Sequence, residues 1–190
     1  MKKESGLSLI ESALVIIIAA SVISGAVFYW AASKASQELE SAQNMVTHVQ
    51  QKVLALYANQ GEPDDDLSIS TLKLSNIKTD ENDKNTILLP GKVKLRLQRA
   101  WPENNLVVSD DTKYRFYVIL SNINVDQCVA LGGGMYGKSG PFGGAFVRGD
   151  INFRNIADMD VASRIAHCSQ YFDSKKRGSI GLIFSTREML

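Results

Sequence analysis

Hydrophobic and polar positions are distributed very unevenly along this chain. A short polar head, Met1-Lys2-Lys3-Glu4-Ser5-Gly6, leads into a run from Leu7 to Ala32 that is apolar almost throughout, broken only by small residues and by Glu11. No charge falls between Glu11 and Lys34, and the roughly 22 residues between them would span about 33 Å as a helix, the thickness of one bilayer core. Tyr29 and Trp30 stand at the far end of the run, where interfacial aromatics belong, and Lys2 and Lys3 favour a cytoplasmic N-terminus with the remainder exported. Downstream, Ala35, Leu39, Ala42, Val46, Val49, Val53 and Leu56 recur at steps of four and three, an apolar stripe on one helical face. Asn59-Gln60-Gly61 and Pro63 supply stop signals. The pattern predicts one helix from about Leu7 to about Tyr57, apolar all round in its first half and amphipathic in its second.

The rest of the chain reads as α+β. Lys92 to Gln98 alternates strictly, with Val93, Leu95 and Leu97 on one face; Leu106 to Val108, Tyr114 to Leu120 and Ser179 to Ser185 are further strand candidates. Asn124 or Asp126 can cap a short helix through Leu131, and Asp158 can start another through about His167. The expected architecture is a long N-terminal helix packed on a globular head with an antiparallel sheet.

Composition changes this picture little. Lys and Arg number 21 against 20 Asp and Glu, so the net charge of +1 advertises neither nucleic acid nor a charged substrate. Two alternatives compete for the N-terminal run. An ordinary secretory signal would be shorter, with cleavage near Ala31-Ala32-Ser33. A plain membrane anchor would not carry Glu11, because a carboxylate in lipid costs several kcal/mol and usually has a partner and a function.

Gly6-Leu7-Ser8-Leu9-Ile10-Glu11-Ser12 resembles the class III signal of type IV prepilins: a basic leader ending in Gly, then an apolar residue, then Glu at the fifth mature position. The stretch Gly6 to Trp30 is most similar to the type IVb subfamily, of the bundle-forming kind, although the six-residue leader is shorter than is usual there. The resemblance implies cleavage between Gly6 and Leu7 by prepilin peptidase, N-methylation of Leu7, and passage from the inner membrane, with the head in the periplasm, to a cell-surface pilus. It implies other pilin subunits and the inner-membrane pilus assembly platform as partners. It divides the chain into a leader (1–6), a transmembrane and polymerisation helix (7–33), an amphipathic continuation (34–60) and a periplasmic or extracellular head (61–190). The physics of Glu11 agrees: cleavage leaves a cationic amine on Leu7, and in a staggered bundle Glu11 of one subunit can neutralise the amine of its neighbour.

The aromatic-rich segment Tyr114 to Leu120, followed by Val125-Asp126-Gln127-Cys128, is also similar to that subfamily, as is Ile165-Ala166-His167-Cys168 before a terminal strand. Cys128 and Cys168 are the chain's two cysteines. An exported bacterial chain usually bonds such a pair, so a disulfide closing the head is expected. A catalytic Cys168–His167 pair is the alternative, but sequence neighbours seldom form one and no third partner is evident. His48 and His167 lie too far apart in the chain, in different contexts, to point to zinc.

Three motifs invite other readings. Gly132 to Ser139 matches the P-loop pattern G-x-x-x-x-G-K-S, yet Gly140, Pro141, Gly143 and Gly144 would break the helix that a phosphate cradle needs, and a surface loop is expected instead. Arg148-Gly149-Asp150 spells an integrin-binding tripeptide, which three residues match easily by chance. Glu62, Asp64, Asp65 and Asp66 lack the alternating ligand spacing of a calcium loop. No enzyme activity, cofactor, metal, nucleotide or nucleic acid is expected. The expected function is that of a structural pilin, with the charged head leaning towards a minor subunit. A type II secretion pseudopilin is the alternative, and a membrane-anchored periplasmic enzyme or binding protein would need a polar site that the sequence does not display.

Overall fold

A computed structural model describes residues 9–57, 62–64, 67–70, 72, 77, 79–99, 113–133, 136, 141–173, 175 and 177–186. Helix α1 spans Leu9–Tyr57 without interruption. It contributes to two compact units, residues 1–40 and 41–190. In the first unit its large apolar side chains lie on the surface. In the second, Ala42, Val46, Val49, Val53 and Tyr57 form a buried stripe at steps of four and three. Three stripe positions expected from the sequence fall outside it: Ala35 is exposed, Leu39 is only half-buried, and Leu56 points outward while Tyr57 turns in and donates a 2.9 Å hydrogen bond to Asp64 Oδ2. The steps from Val53 to Leu56 and to Tyr57 are both helical, so the pattern alone could not choose between them.

The head is a five-stranded antiparallel sheet. Its strands are β1 (Thr86–Leu88), β2 (Lys94–Gln98), β3 (Arg115–Asn124), β4 (Phe142–Val147) and β5 (Arg177–Ser185), in the spatial order β1-β2-β3-β5-β4. Strict alternation places Leu95, Leu120 and Ile180 in one cross-strand row and Leu97, Val118 and Leu182 in the next, all buried. Phe116 and Phe184 pair in register and stack at 5.5 Å between ring centroids. The opposite face carries a smaller cluster of Tyr117, Ile119 and Ile183, with Phe146 and Phe153 packed on it. Both faces of the central strands are therefore covered, and the core lies on the two sides of β3 and β5.

Helix α2 (Val125–Gly132) follows β3 directly. Asn124 caps it through a reciprocal pair of bonds: Asn124 Oδ1 accepts from Gln127 N at 2.8 Å, and Gln127 Oε1 accepts from Asn124 N at 2.9 Å. Helix α3 (Val161–Tyr171) starts later than the sequence indicates. Asp160 caps it, accepting from Ser163 N and Oγ at 2.9 and 2.7 Å, and the expected starter Asp158 closes a separate 3-10 turn, Ile156–Asp158. Strand β4 begins at Phe142, beyond the glycine-rich segment Gly132 to Ser139 expected to be a surface loop, most of which lies outside the described residues. Gly144, at φ +141, permits a bulge against β5, and Asn155 approaches there to accept the Ala145 N–H at 2.9 Å. Strand β1 was not foreseen, since three residues carry no readable period. The candidate strand Leu106 to Val108 lies outside the described residues.

Candidate assembly site

The first unit of α1 presents an unusual surface. Ile10, Ile16, Ile17, Val22, Ile23, Phe28 and Trp30 are all more than half exposed, on every side of the helix. Such a surface is stable only in lipid or against other apolar helices, and the helix is long and apolar enough to cross a membrane. Two hydroxyls within it are satisfied internally: Ser21 Oγ donates to Ile18 O at 2.8 Å and Ser24 Oγ to Ala20 O at 2.7 Å, so neither needs water. At the far end of the run Lys34 Nζ sits 5.3 Å from the Trp30 ring centroid, an aromatic–cation pair of the kind found where an apolar span meets water. Glu11 lies in the first turn of α1, where a carboxylate suits the positive end of the helix dipole. Gly6 and Leu7, its expected partners in processing and assembly, lie outside the described residues.

In the head, Cys128 of α2 and Cys168 of α3 are joined by a disulfide and fully buried, with 6.3 Å between their Cα atoms. Neither sulfur is a free thiol, which removes the Cys–His alternative. His167 instead faces Asp150. Its Nε2 lies 2.9 Å from Asp150 Oδ2, within ion-pair range although not in hydrogen-bond alignment. Asp150 accepts from the backbone N–H groups of Asn152 and Arg154 at 3.0 and 3.1 Å and from the Tyr171 hydroxyl at 3.1 Å, with Arg154 Nε at 3.5 Å. Burial works to raise the pKa of this carboxyl, but those hydrogen bonds and the charge of His167 together hold it below the ordinary carboxylate value. The aspartate of Arg148-Gly149-Asp150 therefore points into the head and is unavailable to a receptor. A second internal ion was also missed from the sequence. Arg164 is buried and donates to the carbonyls of Ile156 at 2.8 Å and Met159 at 2.7 Å, fastening the 3-10 turn to α3. The sequence pattern marks neither residue as internal, although a signal existed for one: Asp150-Ile151-Asn152 has the spacing of an Asx turn.

The P-loop match fails on element order. Gly132 and Gly133 end a helix and β4 follows, whereas a phosphate cradle needs a strand before the glycines and a helix after them; most of residues 134–140 lie outside the described residues. Of the acidic patch, Asp64 accepts from Tyr57 and Glu62 pairs with Arg99, while Asp65 and Asp66 lie outside the described residues. Among the described residues no group of His, Cys, Asp and Glu is placed to hold a metal.

Over 169 residues the chain is 30% identical to the major structural subunit of the bundle-forming pilus of Escherichia coli O127:H6 (strain E2348/69 / EPEC), covering 85% of this chain and 82% of that one. The chain belongs to the type IVb pilin family. The corresponding subunit of Escherichia coli O111:H- is 29% identical over the same share of both chains. The crystal structure of a type IV b pilin from Salmonella typhi aligns at a TM-score of 0.49 and 15% identity, over 79% of this chain and 97% of that one. No family model matches. The chain combines a long apolar N-terminal helix with a disulfide-closed antiparallel head, and both named relatives are structural subunits by name.

Proposed function

We propose that this chain is made as an inner-membrane precursor with its head in the periplasm, is cut between Gly6 and Leu7 by prepilin peptidase, and is then assembled by the inner-membrane platform into a type IVb pilus. Residues 1–6 are the leader, 7–33 the membrane and polymerisation helix, 34–60 its amphipathic continuation and 61–190 the head. The observation that carries this reading is the first unit of α1: its apolar side chains are exposed on all sides, with one carboxylate, Glu11, in the first turn. A membrane accepts the apolar surface but penalises the carboxylate. A fibre core accepts both, because the new amine of Leu7 on a neighbouring subunit neutralises Glu11. Loss of Lys2, Lys3 and Glu4 reduces 21 cations and 20 anions to 19 of each.

Both curated relatives bear the name of major subunits. That favours a shaft role over the minor role towards which the charged head leans, and counting copies per unit length of purified fibre tests it. The mechanism is tested by comparing wild type and Glu11→Val for insertion, cleavage and incorporation into sheared fibres. The variant should insert and be cut to a mature N-terminus at Leu7, yet incorporate poorly. Normal incorporation would remove the assembly role of Glu11. A mature N-terminus near Ser33 would replace the pilin signal with an ordinary secretory one.

A further inference from the structure

The turn after β4 holds an isoleucine out into solvent. Asp150 turns inward to His167 and Tyr171, and Phe153 turns inward onto Tyr117, Ile119 and Ile183. Asp150 also accepts the N–H groups of Asn152 and Arg154, so the turn is fixed from within. Ile151 is left at the tip, 84% exposed, the most exposed large apolar side chain described in the head. A lone exposed isoleucine is ordinary; its surroundings are not. Strands β4 and β5 are antiparallel neighbours, so the turn after β4 and the connection into β5 lie side by side at one end of the sheet. Arg148 N donates to Ser179 O there, and Asp173 N to Arg177 O, both at 2.9 Å. Residues 147–154 and 173–177 hold five cations, Arg148, Arg154, Lys175, Lys176 and Arg177, against two anions, Asp150 and Asp173, in a chain whose net charge is only +1. Both anions are engaged by the protein itself. Asp150 is buried, and Asp173 accepts the N–H groups of Lys175 and Arg177 at 2.8 and 2.9 Å. Arg148, Arg154 and Lys175 are exposed.

We propose that this end of the head docks on an anionic phospholipid surface, with Ile151 entering the headgroup boundary and the cations around it facing the lipid phosphates. The inference rests on the reading of the chain as a membrane-held precursor, and it adds where the head rests before assembly. Lys34 stands at the end of the apolar run, and Ala42, eight residues on, is the first buried residue of the second unit. Eight residues reach at most about 29 Å even when fully extended. The head therefore stays close to the lipid, and a contact too weak to hold a free protein is populated in a tethered one. An anionic surface accounts for both parts of the patch. Each cation close to such a surface strengthens binding about fivefold, and the boundary with the acyl chains accepts an apolar side chain that water does not. A nucleic acid would meet the cations through its phosphates and leave Ile151 in water.

The test is the accessibility of the tip. Ile151→Cys supplies a single free thiol, since Cys128 and Cys168 are already joined. The full chain carrying it is reconstituted into nanodiscs of phosphatidylcholine, alone or mixed with phosphatidylglycerol, and alkylation by a neutral polyethylene-glycol maleimide is timed. The rate should be severalfold lower with phosphatidylglycerol. High salt, or Arg148→Gln together with Lys175→Gln, should restore it. Glu81→Cys, an exposed position towards the β1 edge of the sheet, should react equally in both lipids. Retention of the Cys128–Cys168 bridge in each variant reports that the head is folded. Equal rates at residue 151 in the two lipids, with the chain in the discs, overturn the docking and leave the membrane-held reading intact. A low rate in both lipids that ignores salt and the substitutions also overturns it, since a second copy of the chain would cover the tip in that way. Equal slowing at residues 81 and 151 overturns it too. Chain that fails to enter the discs removes the membrane-held reading instead. The same protein is then mixed with phosphatidylglycerol vesicles: slowing at residue 151 that salt reverses supports the docking surface, and none overturns it.

Discussion

Asp150 shows how far a residue's role can depart from its sequence context. Flanked by Gly149 and Ile151, it reads as the end of an exposed tripeptide, yet its side chain is fully buried and fastens the turn after β4 to α3 through Tyr171 and His167. Its folded pKa lies below the ordinary carboxylate value. The stability it contributes is therefore fully present above about pH 4, the ordinary aspartate value, and is lost as pH falls from there through the folded pKa. Asp150→Asn should remove that dependence. Thermal melts of the oxidised head between neutral pH and about pH 2 should show the wild type losing its advantage over the variant as acid is added. At neutral pH, Asp150→Ala should cost about 3 kcal/mol, because it leaves buried His167 without its ion-pair partner and the half-buried Tyr171 hydroxyl without its acceptor. Equal losses for wild type and Asp150→Asn across the acid range would show that the carboxylate bears no such role.

At the scale of elements, the sequence was most legible where one period persisted. The apolar stripe of α1, the alternation of β2 and the Asn124 cap of α2 all appear in the fold, because each is set by residues within a few positions of one another. The start of α3 was not, since Asp158 and Asp160 are both competent caps. Asp158 is taken by the 3-10 turn, where it accepts from Asn155 Nδ2 at 2.8 Å, and that turn is held by Arg164 from one side and β4 from the other. Asp160→Ala should accordingly destabilise the head by about 1 kcal/mol, the ordinary value of an N-cap, and Asp158→Ala by clearly less. Chemical denaturation of both variants measures the difference, and a larger effect at Asp158 would return the helix start to the position first expected. Strand β4 was missed for a related reason. Glycines read as breakers, but Gly144 at φ +141 makes the bulge that lets the strand pair with β5.

At the scale of the whole molecule, the disulfide is the link with the longest reach that the sequence foretold. It spans 40 residues and joins α2 to α3, and closing a loop of that length stabilises the fold by about 4 kcal/mol in the chain-entropy picture. Cys128→Ser should lower the stability of the head by a few kcal/mol and reduce the level of exported protein, while membrane insertion, which depends on the apolar run, stays normal. Guanidinium titration and cell fractionation measure the two effects separately, and unchanged head stability would reduce the bridge to an incidental contact. The sequence by itself determined the membrane-length apolar run with its lone carboxylate, the amphipathic continuation, the α+β head and the pairing of its two cysteines. Hydrophobic period and composition act locally, and two cysteines allow a single bond. Only the tertiary structure decided which charges are internal and which cap begins α3. It also decided which way the Arg-Gly-Asp aspartate points and whether a glycine run becomes a strand. Those outcomes depend on burial and on partners distant in the chain, such as Tyr171 for Asp150 and the Ile156 carbonyl for Arg164, and no local pattern encodes them.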